Sequence, residues 1–180
     1  MEFHDIDKML DLLYPTIVEF HDSRSLLMIL TFIGHRDTRI TEKLKKEVRT
    51  HLRNFINLNV KTFYCGGMGA FDNLCAELLK ELKEEFPHIK RYLVVPYLDN
   101  NFLRIAQELV STNYYDEILY PPIENVFPKY AILARNKYMI DKADLLISFV
   151  SQRYGGAYQS FLYAKKKKSS IQIINLGSLN

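Results

Sequence analysis

A chain of 180 residues with 48% hydrophobic and 25% charged residues is long enough to bury one sizeable core, and this composition is typical of a globular protein. The net charge of +3 is too small to indicate a nucleic-acid or membrane partner, and no apolar run approaches the roughly 20 residues that span a bilayer. The two cysteines, Cys65 and Cys75, give no disulfide framework, and the N-terminus lacks the pattern of a signal peptide, so we expect a cytoplasmic protein.

The first segment, residues 1–27, stands apart from the pattern that follows it. Its apolar residues recur at helical spacing, at Ile6, Met9, Leu10, Leu13 and Ile17. This spacing predicts an N-terminal helical extension, which either packs on the domain or forms a contact between copies of the chain. We expect the remainder, residues 28–180, to form one domain.

From residue 28 onwards, short apolar runs alternate with helical patterns. Strands are predicted at 28–33, 61–64, 92–95, 117–120, 144–150 and 171–174, with a helix between each pair. Strands separated by helices join a parallel sheet through right-handed crossovers. The sequence therefore predicts an α/β fold, a Rossmann-like, doubly wound and mostly parallel sheet with helices on both faces. Ligands of such sheets bind at the carboxyl ends of the strands.

A polar turn, Gly34-His35-Arg36-Asp37, follows the first predicted strand at this edge. Gly34 permits a sharp turn, and Arg36 can make a bidentate contact to phosphate. His35 can donate a hydrogen bond or titrate near neutral pH. The alternative interpretation is a solvated polar loop that leads into the next helix.

Two paired-glycine turns follow two other strands. One contains Gly66, Gly67, Met68 and Gly69, and the other contains Gly155 and Gly156. A strand, a glycine turn and a helix start together form an anion cradle, because free N–H groups and the helix dipole point into the turn. The first turn matches neither the dinucleotide fingerprint nor the Walker motif. The two turns nevertheless indicate a nucleotide or another phosphorylated ligand, and the alternative for the second turn is an unrelated loop that needs a positive φ.

Three positions beside these turns are further candidates. Asp72, in the first turn of the helix after Gly69, either holds a ribose hydroxyl or complements the helix dipole. Gln159, one turn into the helix after Gly156, is expected to face the ligand. Cys65 is either a thiol near a helix start or a small residue that fills a tight strand end.

Four segments in the same order resemble the bacterial SLOG superfamily, in its DprA-like branch. They are residues 31–36, 63–72, 134–139 and 154–157, and the resemblance runs from about residue 28 to residue 176. The resemblance implies a Rossmann-like sensor or enzyme fold that binds nucleotides or nucleotide-derived signals, in a homodimer or higher homo-oligomer. Carried over to this sequence, the pocket residues are Arg36, Gly67, Asp72, Arg135, Gly155 and Gly156.

A weaker resemblance reaches the LOG-type phosphoribohydrolases, which cleave a base from a nucleoside monophosphate. Their turn is Pro-Gly-Gly-x-Gly-Thr-x-x-Glu, preceded by a helix with an arginine. Here Leu162 stands where the glutamate would be. If this chain is an enzyme, Asp72 is the acid that would activate water or stabilise an oxocarbenium-like centre, and Arg135 would bind the 5′-phosphate.

The sequence therefore predicts a sensor or binding module that holds a nucleotide or nucleotide-derived phosphorylated ligand in a crevice between two glycine turns. A nucleotide N-glycosidase with Asp72 and Arg135 as catalytic residues is the alternative, so enzymatic activity is left open. Single-stranded DNA binding, by analogy to DprA alone, is disfavoured by the weak charge. No cofactor, metal or membrane partner is expected. The predicted ligand-binding residues are Gly34, His35, Arg36, Gly66, Gly67, Met68, Gly69, Asp72, Arg135, Asn136, Gly155, Gly156 and Gln159.

Overall fold

The computed structural model describes residues 28–167 and 170–179, so the predicted helix in residues 1–27 lies outside the described residues. Strands and helices alternate throughout the described part. The elements are β1 (Ile29–Gly34), α1 (Glu42–Asn57), β2 (Thr62–Cys65), α2 (Ala70–Glu85), β3 (Lys90–Val94), α3 (Asn100–Ser111), β4 (Glu117–Leu119), α4 (Pro128–Lys142), β5 (Leu145–Phe149), α5 (Gly155–Lys166) and β6 (Gln172–Asn175).

The strands form one sheet in the order β4-β3-β2-β1-β5-β6, and every described pair is parallel. The chain winds outward from β1 to β4, crosses back through α4, and then continues from β5 to β6 on the other side of β1. This order confirms the predicted doubly wound, Rossmann-like α/β fold. The winding direction reverses between β1 and β5, and a crevice opens there at the carboxyl ends of the strands.

Hydrophobic layers cover both faces of the sheet, because side chains of a buried strand alternate between its two faces. Leu30 and Phe32 of β1 point to the face covered by α1, α2 and α3, whereas Ile33 points to the opposite face. Met139 of α4 and Phe161 of α5 cover that second face. Helices on both faces therefore leave the sheet's carboxyl edge as the place where loops from different elements meet.

Helix α1 shows how the sequence produces one of these elements. The Thr41 hydroxyl accepts a hydrogen bond from the Leu44 N–H at 3.1 Å and caps the helix. Leu44, Val48 and Leu52 recur at a spacing of four residues and are buried against the sheet. No helix within residues 28–167 or 170–179 has the length and apolar character needed to cross a membrane.

A buried ion-pair cluster lies at the opposite, amino edge of the sheet. The Arg91 side chain is fully buried, and its Nε donates to Asp116 Oδ2 at 3.1 Å. Lys83 also donates to Asp116. Burial alone would raise the pKa of Asp116, but hydrogen bonds from Arg91 and Lys83 outweigh this effect and lower it to about 2. The cluster fixes the start of β3 to the chain that enters β4, far from the crevice.

Candidate functional site

A cavity of about 580 Å³ opens at the carboxyl ends of β1 and β5. It is bounded by the loop after β1, the first turn of α5, one side of α4 and two residues near the start of α2. Most of the predicted ligand-binding residues line it, namely Gly34, His35, Arg36, Met68, Asp72, Arg135, Asn136, Gly155, Gly156 and Gln159. Gly66, Gly67 and Gly69 do not line it. The crevice predicted between two glycine turns is therefore formed mainly by the α5 turn, the β1 loop and α4.

The loop after β1 is held against the loop after β5 by a histidine. His35 is only 8% exposed, and its Nε2 accepts a hydrogen bond from the Gln152 N–H at 3.3 Å. Nε2 is therefore the acceptor in this bond. In the described part of the chain, the exposed Arg36 side chain has no hydrogen-bond or ion-pair partner, although it lines the cavity. The loop thus holds His35 by contacts within the protein and leaves Arg36 available.

The turn after β2 uses its glycines for packing inside the protein. Gly69 has a φ of +98°, and a Cβ there would lie 2.8 Å from the Cα of Arg36. The adjacent Ala70 N–H donates to the Arg36 carbonyl at 2.9 Å, so this turn presses directly on the β1 loop. A Cβ at Gly67 would lie 2.6 Å from the Leu93 side chain. Gly67 and Gly69 therefore allow close packing within the protein, and neither lines the cavity.

The turn before α5 differs, because neither backbone conformation nor packing explains the glycine at position 156. Gly155 has a φ of +81°, which favours glycine. Gly156 has no positive φ, and a Cβ built on it meets no protein atom within 4 Å. Helix α5 has no side-chain hydrogen bond at its N-terminus. Its first N–H groups therefore border an open space beside Gly156.

Arg135, on α4, reaches across the inner end of the cavity and is 1% exposed. Its Nη1 donates to the carbonyl of Gly66 and, at 2.9 Å, to that of Val94, while its Nη2 lies 3.6 Å from the Met68 sulfur. The guanidinium thereby ties α4 to the carboxyl ends of β2 and β3. Its role in binding a 5′-phosphate stays a prediction.

Asp72 lies beside this guanidinium. Its Oδ2 accepts a hydrogen bond from the Met68 N–H at 3.2 Å. Burial raises the pKa of Asp72 to about 6, although the charge of Arg135 and the bond from Met68 oppose the shift. A carboxyl that titrates near neutrality in a cavity is suited to proton transfer or to recognition of a polar group.

The structure also places residues at the cavity that the sequence analysis did not select. Lys129 and Tyr130 come from the first turn of α4, and Gln152 and Tyr154 come from the loop before α5. Tyr130 is 53% exposed and Tyr154 is 68% exposed. Pro128 marks the start of α4 in the sequence. The position of α4 over the crevice depends on tertiary packing, which the sequence pattern does not show.

The remaining predicted polar residues have clear positions. The Asn136 side chain donates to the Ser160 hydroxyl at 3.1 Å, which joins α4 to α5 at the cavity wall. Gln159 is exposed and lines the cavity without a hydrogen-bond partner in residues 28–167. Leu162, at the position of the LOG-type glutamate, is 39% exposed and lies outside the cavity lining.

Both cysteines are buried within the described residues. Cys65 and Cys75 are free and buried, and burial raises the pKa of both thiols. Within the described ranges, no group of three or more His, Cys, Asp or Glu residues is arranged to hold a metal ion. Cys65 therefore fills the tight end of β2, as one of the two sequence interpretations proposed.

Comparisons with known proteins agree with this architecture. The family model YpsA, described as the YspA SLOG family, matches residues 29–179. A UPF0398 protein from Bacillus velezensis is 22% identical over 143 residues, which are 76% of this chain and 77% of that relative.

Two solved structures of DNA processing protein A share the fold. The protein from Streptococcus pneumoniae gives a TM-score of 0.57 at 12% identity, over 83% of this chain and 50% of its own. The protein from Helicobacter pylori gives 0.52 at 22% identity, over 81% of this chain and 64% of its own. This chain thus spans less than two thirds of either one. Because the family model covers most of the sequence, the chain belongs to the YspA SLOG family.

Proposed function

We propose that the cavity binds a nucleotide or a nucleotide-derived phosphorylated ligand, and that the protein acts as a sensor or binding module. The observation that carries this proposal is Gly156. The protein's own packing and backbone do not require a glycine there, yet it stands at the uncapped N-terminus of α5 and lines the cavity. A residue without a side chain lets a ligand approach the backbone closely.

The groups around Gly156 fit an anionic ligand. The first N–H groups of α5 and the positive end of its dipole attract phosphate. Arg36, from the β1 loop, and Lys129, from α4, also line the cavity and supply positive charge. A phosphate at the α5 turn would be bound by backbone N–H groups in a cavity that also holds these two positive charges.

The outer rim of the cavity fits an aromatic base. Tyr130 and Tyr154 both line the cavity and leave more than half of their surface exposed. Exposed tyrosines can stack on a planar ring through their apolar faces. The cavity volume of about 580 Å³ also lies within the roughly 300–1,000 Å³ range of small-molecule sites. A ligand with a phosphate at the α5 turn and an aromatic base at the rim would be a nucleotide.

The test is a thermal-shift screen followed by calorimetry. Nucleoside monophosphates, ADP-ribose, NAD and cyclic nucleotides are added to the full chain, and chromatography follows each ligand. At a concentration 100 times its Kd, a ligand should stabilise the protein by about 2.7 kcal/mol and be recovered intact. If none of these compounds shifts the melting temperature at millimolar concentration, the proposal is wrong.

A matched pair of arginine variants tests the position of the phosphate. Arg36→Gln should weaken binding of a phosphorylated ligand by about tenfold or more, because a charge-assisted contact is lost. Arg39→Gln is the control, since Arg39 is exposed on the same connection and does not line the cavity. Equal effects of the two variants would show that Arg36 acts only through net charge.

A second candidate function is nucleotide N-glycosidase activity, which the Asp72 carboxyl favours. Its pKa of about 6 suits a general base near neutral pH. Cleavage would appear in the same chromatograms as free base and ribose phosphate. The rate should rise with pH as Asp72 loses its proton, and Asp72→Asn should lower it by about a hundredfold or more. An unchanged rate in that variant would exclude this mechanism.

A further inference from the structure

The inner end of the cavity contains buried polar atoms that the protein leaves without partners. Within the described residues, Arg135 Nε and Asp72 Oδ1 are buried and make no hydrogen bond. Both residues line the cavity. A buried polar atom without a partner costs about 1–3 kcal/mol, and most such atoms in folded proteins are paired. One unpaired donor and one unpaired acceptor on neighbouring cavity-lining residues call for a ligand-based explanation.

The backbone of the β2 turn holds these two side chains together. A Cβ at Gly66 would lie 2.6 Å from Arg135 Nη1 and 2.6 Å from Asp72 Oδ2. The guanidinium and the carboxylate therefore lie on either side of a position where no side chain fits. Glycine at position 66 leaves room for the Arg135 and Asp72 side chains, whereas glycine at position 156 leaves unfilled space in the cavity.

Met68 occupies the cavity next to this pair. Its N–H donates to Asp72 Oδ2, and its sulfur lies 3.6 Å from Arg135 Nη2. A thioether is a weak acceptor for a guanidinium, so this contact is easily exchanged for a better one. The methionine side chain is unbranched and adapts its shape readily. A ligand that moves the Met68 side chain aside would reach the guanidinium at Nη2.

The chemistry of the pair favours a hydroxyl over a phosphate. A hydroxyl can donate to the carboxylate and accept from the guanidinium at the same time. A phosphate would be repelled by the Asp72 carboxylate, and the α5 turn already offers it a better position. We propose that Asp72 and Arg135 form a hydroxyl subsite that reads the sugar of the ligand and selects ribose over deoxyribose. This inference rests on the proposed function, because it assumes a nucleotide-derived ligand.

Calorimetry with matched sugars tests the subsite. The probes are AMP and ADP-ribose, each compared with its 2′-deoxy counterpart, together with 3′-deoxy AMP. For the wild-type chain, removal of the 2′-hydroxyl should weaken binding by about tenfold or more, because a hydrogen bond to a charged group is lost, and 3′-deoxy AMP measures whether the 3′-hydroxyl contributes as well. In Asp72→Ala, the ribose form should bind as weakly as the deoxy form. The ratio of the two Kd values, rather than either value alone, reports the subsite.

Asn73→Ala is the matched control, because Asn73 is the exposed neighbour of Asp72 on α2 and does not line the cavity. It should keep the wild-type ratio. If Asp72→Ala melts far below the wild type, Asp72→Asn keeps the shape of the side chain and should reduce the ratio in the same direction. Equal binding of ribose and deoxyribose forms by the wild-type chain overturns the hydroxyl subsite and leaves the proposed function standing. Absence of binding by every probe overturns both.

Discussion

Replacement of Gly156 by alanine separates the stability of the protein from ligand binding. The new Cβ would meet no protein atom within 4 Å, and the backbone at this position has no positive φ. Alanine in a helix is favoured over glycine by about 0.5–1 kcal/mol. Because Gly156 lies in the first turn of α5, the gain should fall at or below the lower end of this range. A domain of this size then melts about 1–2 °C higher.

The same methyl group should weaken ligand binding. It would stand in the space through which a phosphate approaches the first N–H groups of α5. Loss of one hydrogen bond to a charged group corresponds to about 1.5–3 kcal/mol, which is a weakening of Kd by roughly 10- to 150-fold. Gly156→Ala should therefore give a more stable protein that binds phosphorylated ligands poorly.

Gly69→Ala is the contrasting variant for the same assays. Gly69 has a φ of +98°, and its Cβ would lie 2.8 Å from the Arg36 backbone, so strain of about 1–3 kcal/mol should lower the melting temperature. Differential scanning calorimetry measures both stabilities, and titration calorimetry measures Kd. If Gly156→Ala keeps the wild-type affinity, the phosphate does not bind at the α5 turn. A fall in its melting temperature would refute the inference that position 156 is free of protein contacts.

The remaining predictions concern buried charged and titratable groups. Burial lowers the pKa of His51, and neither ring nitrogen has a partner within the described residues. The unfolded chain therefore takes up a proton first as the pH falls below about 6.5, and stability declines. His51→Leu should raise the melting temperature more at pH 5 than at pH 8, and an equal rise at both would contradict this account. Asp116→Ala should destabilise the fold by about 3–5 kcal/mol in denaturant unfolding, because it leaves the buried Arg91 without its counter-charge. A loss below about 1 kcal/mol would show that the ion pair is not required.

The fold was predictable because its signals are local. The strands contain short apolar runs, and helices such as α1 and α2 repeat their apolar residues at a spacing of three or four. The run at 144–150 became β5, Leu145–Phe149, and the helical pattern after Gly69 became α2, Ala70–Glu85. The spacing of apolar residues indicates whether a strand or helix is buried on one face or on two. This spacing is visible in a short stretch of sequence. The order of elements then left a doubly wound sheet as the consistent topology.

The site was predictable only in part, because glycine serves different purposes at different positions. Gly67 and Gly69 have positive φ values and pack against other parts of the protein, whereas Gly156 has neither feature. The sequence shows the same residue type in all three cases. Only the tertiary neighbours distinguish a glycine that shapes a turn from one that leaves space for a ligand. The sequence analysis missed Tyr130 because its position also depends on tertiary packing. The start of α4 reaches the crevice only through contacts between residues far apart in the sequence.

The choice between binding and hydrolysis depends on how Asp72 is held. A general base must reach the water that it activates, yet Asp72 Oδ1 is buried and its Oδ2 already accepts a bond from the Met68 N–H. The neighbouring Arg135 is fixed by two backbone carbonyls, so it cannot follow a substrate through a reaction without breaking the contact between α4 and the β2 turn. A rigid pair of this kind is well suited to recognition, because little order has to be gained when the ligand binds. Catalysis would require a water molecule at Asp72 in addition to the substrate, whereas recognition of a hydroxyl requires the ligand alone. These constraints support our proposal of a binding module over the alternative of a hydrolase.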